Sequence, residues 1–238
     1  IVDQLASMKA ITLLADDYEV SLSDEEQNKV SQAAEEYFDA LSGEQTEYMD
    51  LKLEDVEDLY RDHVLSGKVY EEITKDVNTE VSDDEARIIT VQQIRLDSAE
   101  TAESVKAQLD EGRDFASLAS TYSLDSQVTY TFGRGEHDSA FEEAAFALEN
   151  DQTSGIIETE DGYYILKCVN NFDQEATEAN KVTMVEKRRD ELFGDVYDQL
   201  VAETPSQFNN RLWEKVHFAD WTGEFPPDFL EIYEQYFE

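Results

Sequence analysis

Cysteine occurs once in the 238 residues, at Cys168. A single thiol closes no internal disulfide, so packing alone must hold this chain. Cys168 stands in an apolar stretch that reads as a strand, where a thiol packs as a small hydrophobe. Only Lys167 beside it offers a charge, so nothing marks it as reactive. Histidine is nearly as scarce. His63, His137 and His217 share no metal-ligand spacing, and neither a metal nor a cofactor is expected. No apolar run reaches the length of a membrane span. No signal peptide is present; the chain begins at Ile1 without Met, which suggests an export signal upstream. Basic residues are few: 18 against 57 acidic, a net charge of −39. Such a field repels nucleic acid and anionic membrane surfaces and leaves basic or neutral partners. The acid is spread along the whole chain, which reads as a solvated surface rather than a binding tail. Runs such as Asp16-Asp17 and Asp83-Asp84-Glu85 lack the alternating oxygens and central glycine of a calcium loop. The second run stands at a helix start, where the helix dipole favours acid.

What is present suffices for one or two domains with a real core, since 40% of residues are apolar. Val2 to Tyr18 reads as a helix, with Leu5, Met8, Ile11, Thr12 and Ala15 on one stripe. Ser23 with Glu26 is a capping box opening a helix to about Leu41, with Val30, Ala33, Ala34, Tyr37 and Phe38 inward. Ser42-Gly43 ends it, and 44–53 reads as a polar connection. A longer helix runs from Glu54 to about Val77; Gly67 inside it implies a kink or close packing. Ser82 with Glu85 is a further box before a strand at 88–96.

In the centre, Asp97 with Glu100 predicts a helix start and Gly112 its end. Asp114 opens a helix with Phe115, Leu118 and Ala119 on one face. Ser139 with Glu142 opens another, with Phe141, Ala145, Phe146 and Leu148 inward. Strands follow at Ile156 to Thr159 and Tyr163 to Val169, with Asp161-Gly162 as the hairpin turn. Beyond a polar stretch at 173–180, a long helix runs from about Glu178 to Ala202. Thr204-Pro205 starts a short helix. Trp213, Val216 and Phe218 form a short apolar run. A last helix follows Pro226-Pro227-Asp228, with Phe229, Tyr233 and Phe237 at a spacing of four. So dense an aromatic stripe wants burial, and docking on the helices of residues 1–80 is the favoured outcome.

Three segments carry a family resemblance. The first is Gly112-Arg113-Asp114-Phe115-Ala116-Ser117-Leu118-Ala119-Ser120-Thr121-Tyr122-Ser123. The second is Phe132-Gly133-Arg134-Gly135 with Phe141 to Leu148 downstream. The third is Ser154 to Lys167, containing Gly162-Tyr163-Tyr164-Ile165-Leu166-Lys167. In this order and spacing they resemble the parvulin family of peptidyl-prolyl cis-trans isomerases over about 85 residues. The implied fold class is α+β: a parvulin (FKBP-like) domain at 87–172, with a small antiparallel sheet and helices. It would be inserted in an all-α, SurA-like chaperone domain built from residues 1–86 and 173–238. This layout resembles extracytoplasmic foldases of the SurA and PrsA type. The ending of the form x-F-x-x-Y-x-x-Y-F resembles PrsA-like lipoproteins of Gram-positive bacteria.

The resemblance also implies a site. The family's first-strand His falls on Gln93 and its last-strand His on Tyr164, while the Cys/Asp position keeps Asp125. These three are the expected polar network. Phe132, His137 and Phe141 are the expected walls of the proline pocket, His137 standing where the family has Met. The usual glycine-rich loop is replaced by Ser126-Gln127-Val128-Thr129-Tyr130. Gln93 and Tyr164 can still donate and accept hydrogen bonds and so orient Asp125. Two functions stay open. One is a foldase that isomerises X-Pro bonds in unfolded or nascent exported polypeptides. The other is a holdase chaperone with a degenerate parvulin-like domain. Either would act outside the cytoplasm, meet membrane only through an upstream lipid anchor, and leave room for a homodimer.

Overall fold

The computed structural model describes residues 2–204, 209, 211, 223 and 225–237. It divides into two compact units, Asn78–Arg188 and the pair Ile1–Val77 with Arg189–Glu238. The first of these takes in the Ser82 turn and the segment 173–188, both of which the sequence reading gave to the helical part.

Unit 78–188 is built on four antiparallel strands: β1 (Ile89–Leu96), β2 (Thr129–Phe132), β3 (Ile157–Thr159) and β4 (Gly162–Asn170), in the order β2-β1-β4-β3. The long inner strands β1 and β4 pair from Thr90↔Asn170 to Leu96↔Tyr163, with a bulge between Thr90 and Val91. Because side chains alternate across a strand, each face buries its own set. On one face Ile94, Leu96 and Ile165 pack against α6 (Ala99–Asp110) and α7 (Phe115–Tyr122) through Val105, Phe115 and Leu118. On the other, Ile89, Val91, Leu166 and Cys168 pack against α8 (Ser139–Phe146) through Phe141, Ala145 and Phe146. Beyond β3, residues 151–154 run on along β4. The Ser154 N–H donates to the Leu166 carbonyl, and the Ser154 hydroxyl accepts the Leu166 N–H, each at 2.8 Å.

The flanking pieces of this unit are α5 (Asp83–Ala86) and the first part of α9 (Gln174–Glu203). Thr177 is fully buried and its hydroxyl accepts the Ile88 N–H at 3.1 Å. Arg188 donates to the carbonyls of Asn78 and Glu80.

The other unit joins both chain ends. It holds α1 (Val2–Thr12), α2 (Asp24–Ala40), α3 (Gly43–Met49), α4 (Leu53–Thr74), the later part of α9 and α10 (Phe229–Phe237). Tyr60 is fully buried on α4 and stacks on Phe229 with ring centroids 3.9 Å apart. Its hydroxyl donates to the Phe229 carbonyl at 3.0 Å. Ile232, Tyr233, Tyr236 and Phe237 complete that core with Val30, Ala33, Ala34 and Val64. The aromatic stripe of the last helix is thus docked on residues 1–80. A second core gathers Leu14, Ala15, Val69 and Ile73 with Phe193, Val196 and Leu200 of α9.

Several boundaries differ from the sequence reading, each for a local reason. α1 stops at Thr12 rather than Tyr18, because the amides of Leu13, Leu14 and Ala15 turn to carbonyls three residues back. The stretch 44–53 is not all connection: Ser42 and Gln45 form a capping box that opens α3. The cap of α6 is Ser98, one residue beyond Asp97, and that of α8 is Asp138, one before Ser139. The hairpin turn is Glu160-Asp161, and Gly162 is the first residue of β4. α9 starts four residues before Glu178, with the Asp173 carboxylate accepting the Ala176 N–H. Apart from its own stretch of helix, no atom among the described residues stands within 4 Å of where a Cβ on Gly67 would lie, so close packing does not explain that glycine. Pro205, Trp213, Val216 and Phe218 lie outside the described residues.

Candidate functional site

The face of the sheet that meets α8 carries the polar exception to an apolar layer. Counting by twos along β1 gives Ile89, Val91, Gln93 and Arg95 on that face. Gln93 is only 5% exposed. A buried amide needs partners, and its Nε2 donates to Asp125 Oδ2 at 2.8 Å. The amide orientation follows from chemistry: a carboxylate only accepts, so the nitrogen must face it. Asp125 Oδ1 in turn accepts from Arg95 Nη1 at 3.2 Å. Arg95 also donates twice to the Asp161 carbonyl, from Nε at 3.2 Å and Nη2 at 3.0 Å. The hydrogen bond to Asp125, with the nearby carboxylates, pushes the Arg95 pKa up.

Asp125 reaches this place because the segment before β2 is tied to β1. The Leu124 N–H donates to the Arg95 carbonyl and the Gln93 N–H to the Val128 carbonyl. The Ser123 hydroxyl accepts the amides of both Arg95 and Asp125. This stretch therefore follows a defined path without glycines.

Beside the network lies a pocket of about 130 Å³. Gln93, Tyr130, Phe141 and Tyr164 form its inner lining, and His137, Asp138, Thr159 and Asp161 complete it. Tyr164 sits opposite Arg95 in the β1–β4 register and meets Phe141 edge-on at 5.4 Å. His137 packs on Phe141 at 4.8 Å and on Phe132 at 4.4 Å. Phe132 is buried behind them. The loop that carries His137 is fixed by Glu142. Burial works against that carboxylate, but backbone donors at Gly135, His137 and Glu136 hold its pKa below the usual range. Burial pushes the Tyr164 and Tyr130 hydroxyls up, so both remain protonated donors at neutral pH.

All six expected residues meet at this one site: Gln93, Asp125 and Tyr164, with Phe132, His137 and Phe141. The partner of Asp125 besides Gln93 is Arg95, not Tyr164, whose side chain faces the pocket instead. Sequence reasoning missed Arg95, Tyr130, Asp138, Thr159 and Asp161. Arg95 had a signal, since it stands two residues after Gln93 on the same face. Tyr130 had one too, two residues before Phe132. A larger depression of about 400 Å³, lined by Gln108, Arg113, Asp114 and Thr121 among others, lies by α6 and α7 and touches none of these residues.

Comparison with known proteins accounts for the arrangement. Residues 85–170 match the family model of the rotamases, the PPIC-type PPIase domain. This segment is a parvulin-type domain. The chain is 38% identical over 93 residues to foldase protein PrsA 1 of Listeria monocytogenes, covering 36% of this chain and 32% of that one. To foldase protein PrsA of Halalkalibacterium halodurans it is 30% identical over 156 residues, 58% of this chain and 45% of the relative. The chain thus matches about a third to a half of the length of these curated relatives. A crystal structure of peptidylprolyl isomerase (PrsA) from Bacillus cereus superposes with a TM-score of 0.50 at 22% identity, covering 100% of this chain and 88% of that one. At that identity the likeness speaks for the fold. The α+β architecture, with its antiparallel sheet and surrounding helices, is that of the parvulin domain and its helical companions.

What the parvulin pocket offers chemically is an aromatic socket next to fixed hydrogen-bond donors and acceptors. Among the described residues it holds no cluster of His, Cys, Asp or Glu able to bind a metal ion. No helix among them is long and apolar enough to cross a membrane.

Proposed function

We propose that this chain is a protein foldase whose pocket holds prolyl rings and speeds cis-trans isomerisation of X-Pro bonds in unfolded or nascent exported polypeptides. The barrier to that rotation, ~20 kcal/mol, comes from amide resonance. A catalyst needs no nucleophile. It must grip the proline ring and make hydrogen bonds that strengthen as the amide twists and loses conjugation. Phe141, Tyr130 and the Tyr164 ring would grip the ring, with Phe132 and His137 behind. The protonated Tyr164 hydroxyl would donate to the twisting amide. Gln93 would receive a peptide N–H on Oε1, which accepts no hydrogen bond among the described residues. Asp125 would act as a positioning residue, since both its oxygens are already occupied.

The observation that carries this reading is the meeting of the Gln93–Asp125–Arg95 network with the aromatic pocket. Exchange NMR on a proline peptide, which resolves the cis and trans forms, tests it. Catalytic amounts of folded protein should broaden or exchange the two signals. Phe141→Ala and Tyr164→Phe should each cut the rate by roughly ten-fold or more, the scale of one lost transition-state contact. No acceleration by a folded sample would remove the proposal.

The reading extends to a position outside the cytoplasm, supported by likeness to the PrsA foldases. A lipid tether upstream of residue 1 and pairing into a homodimer are parts of the same proposal. Detergent partitioning and sedimentation of the full-length protein test them.

A further inference from the structure

The charges around the pocket are not equally available to a ligand. Asp125 is spent on Gln93 and Arg95. Glu136 accepts the Gly133 N–H and Glu142 the His137 N–H. Arg95, the cation of the site, is spent on Asp125 and on the Asp161 carbonyl. Two lining carboxylates remain. Asp138 uses Oδ1 to cap α8 through the Ala140 N–H, and its Oδ2 takes no hydrogen bond among the described residues. The Asp161 carboxylate accepts no hydrogen bond and pairs with no cation among the described residues. Both line the pocket. Arg95 bonds Asp125 and also feels the Asp161 charge, so one guanidinium stands against the three carboxylates of Asp125, Asp138 and Asp161, and the mouth keeps a net negative charge.

We propose that Asp138 and Asp161 make the pocket selective for prolyl segments that carry a positively charged side chain beside the proline, and against those with a carboxylate there. The inference rests on the prolyl-peptide reading of the pocket and names the substrate class within it. Its physical basis is the difference between two attractive and two repulsive contacts at a partly exposed rim. Such contacts are individually weak, but the sign change doubles their effect on selection.

Three short peptides with Lys-Pro-Lys, Ala-Pro-Ala and Glu-Pro-Glu centres decide it, titrated into the full chain and followed by chemical shift. The Lys peptide should bind about three- to ten-fold more tightly than the Glu peptide at low salt, with the Ala peptide between. The overall charge of −39 would also favour the Lys peptide. The double variant Asp138→Asn, Asp161→Ser removes only the local part. Asparagine keeps the α8 cap and serine suits a turn. In it the ratio should fall to less than half its starting value. Equal affinities in the native chain, or a ratio unchanged in the double variant, overturn the proposal. Exchange NMR on the same samples keeps the two readings apart. Charge-selective binding without acceleration removes isomerisation and keeps this inference; acceleration without charge preference does the reverse. No shift with any peptide removes both.

Discussion

Replacing Gln93 by glutamate changes almost no volume and puts a second carboxyl 2.8 Å from Asp125 Oδ2. Two carboxylates at that distance cannot both ionise, and one pKa must rise. A rise of roughly 2–3 units from the ordinary ~4.3, at 1.36 kcal/mol per unit, amounts to about 3–4 kcal/mol. Arg95, already bonded to Asp125, takes back part of this. The sign follows from linkage. The folded-state pKa lies above the unfolded one, so the folded state binds the extra proton. The penalty is absent below the unfolded value and grows as pH rises through the window up to the folded one. Hydrogen exchange of the β1 and β4 amides, with urea unfolding alongside, should show Gln93→Glu close to the native chain near about pH 4 and about 3 kcal/mol weaker near about pH 8. Gln93→Leu is the control. It loses a hydrogen bond to a charged acceptor, about 1.5–3 kcal/mol, with no proton to take up across that range. A Gln93→Glu chain as stable as the native one near about pH 8, or with a deficit that does not change with pH, would refute the account of the Gln93–Asp125 contact.

Gly162 has φ +128, and a Cβ there would stand 2.6 Å from the Leu96 carbonyl oxygen. Gly162→Ala should cost roughly 2–3 kcal/mol of sheet stability in urea unfolding. Ile232→Ala, which empties a buried position between α10 and α2, should cost about 2–4 kcal/mol in the helical unit, read from exchange of the α2 and α4 amides. Glu26 is held down at about 2, chiefly by the Lys68 hydrogen bond and by the Ser23 amide. Its folded pKa is depressed, so its contribution is present above the unfolded value near 4.5 and is lost as pH falls toward 2. Lys68→Met should lower stability at neutral pH and flatten that acid-side slope in an acid titration of helicity.

The sequence made the site legible where chemistry and spacing coincided. Gln93, Asp125 and Tyr164 were found because a resemblance marked their positions on β1, after α7 and on β4. Arg95 was not: its place on the Gln93 face of β1 was a signal, but its bonds to Asp125 and to the Asp161 carbonyl reach other segments, and no local pattern encodes them. Caps were located to within a residue. Asp97, Ser98, Asp138 and Ser139 are all good cap residues, and only the backbone turn decides which one serves. α3 was hidden because its Ser42-x-x-Gln45 box opens a helix of just seven residues, too short for periodicity to declare itself. The docking of Phe229, Tyr233 and Phe237 was readable, since three rings at a spacing of four leave no polar face there to show solvent.

The stretch at 151–154 that runs on past β3 has a consequence for survival among sticky chains. An open strand margin is a template on which any extended polypeptide can add itself and stay. Here the Ser154 hydroxyl and the backbone beside it occupy the β4 groups that β3 leaves uncovered, and the opposite margin is β2, four residues long. For the foldase proposed above, this would close the long inner strand β4 to strand addition, so that a client could be held by its proline and let go without zipping onto it.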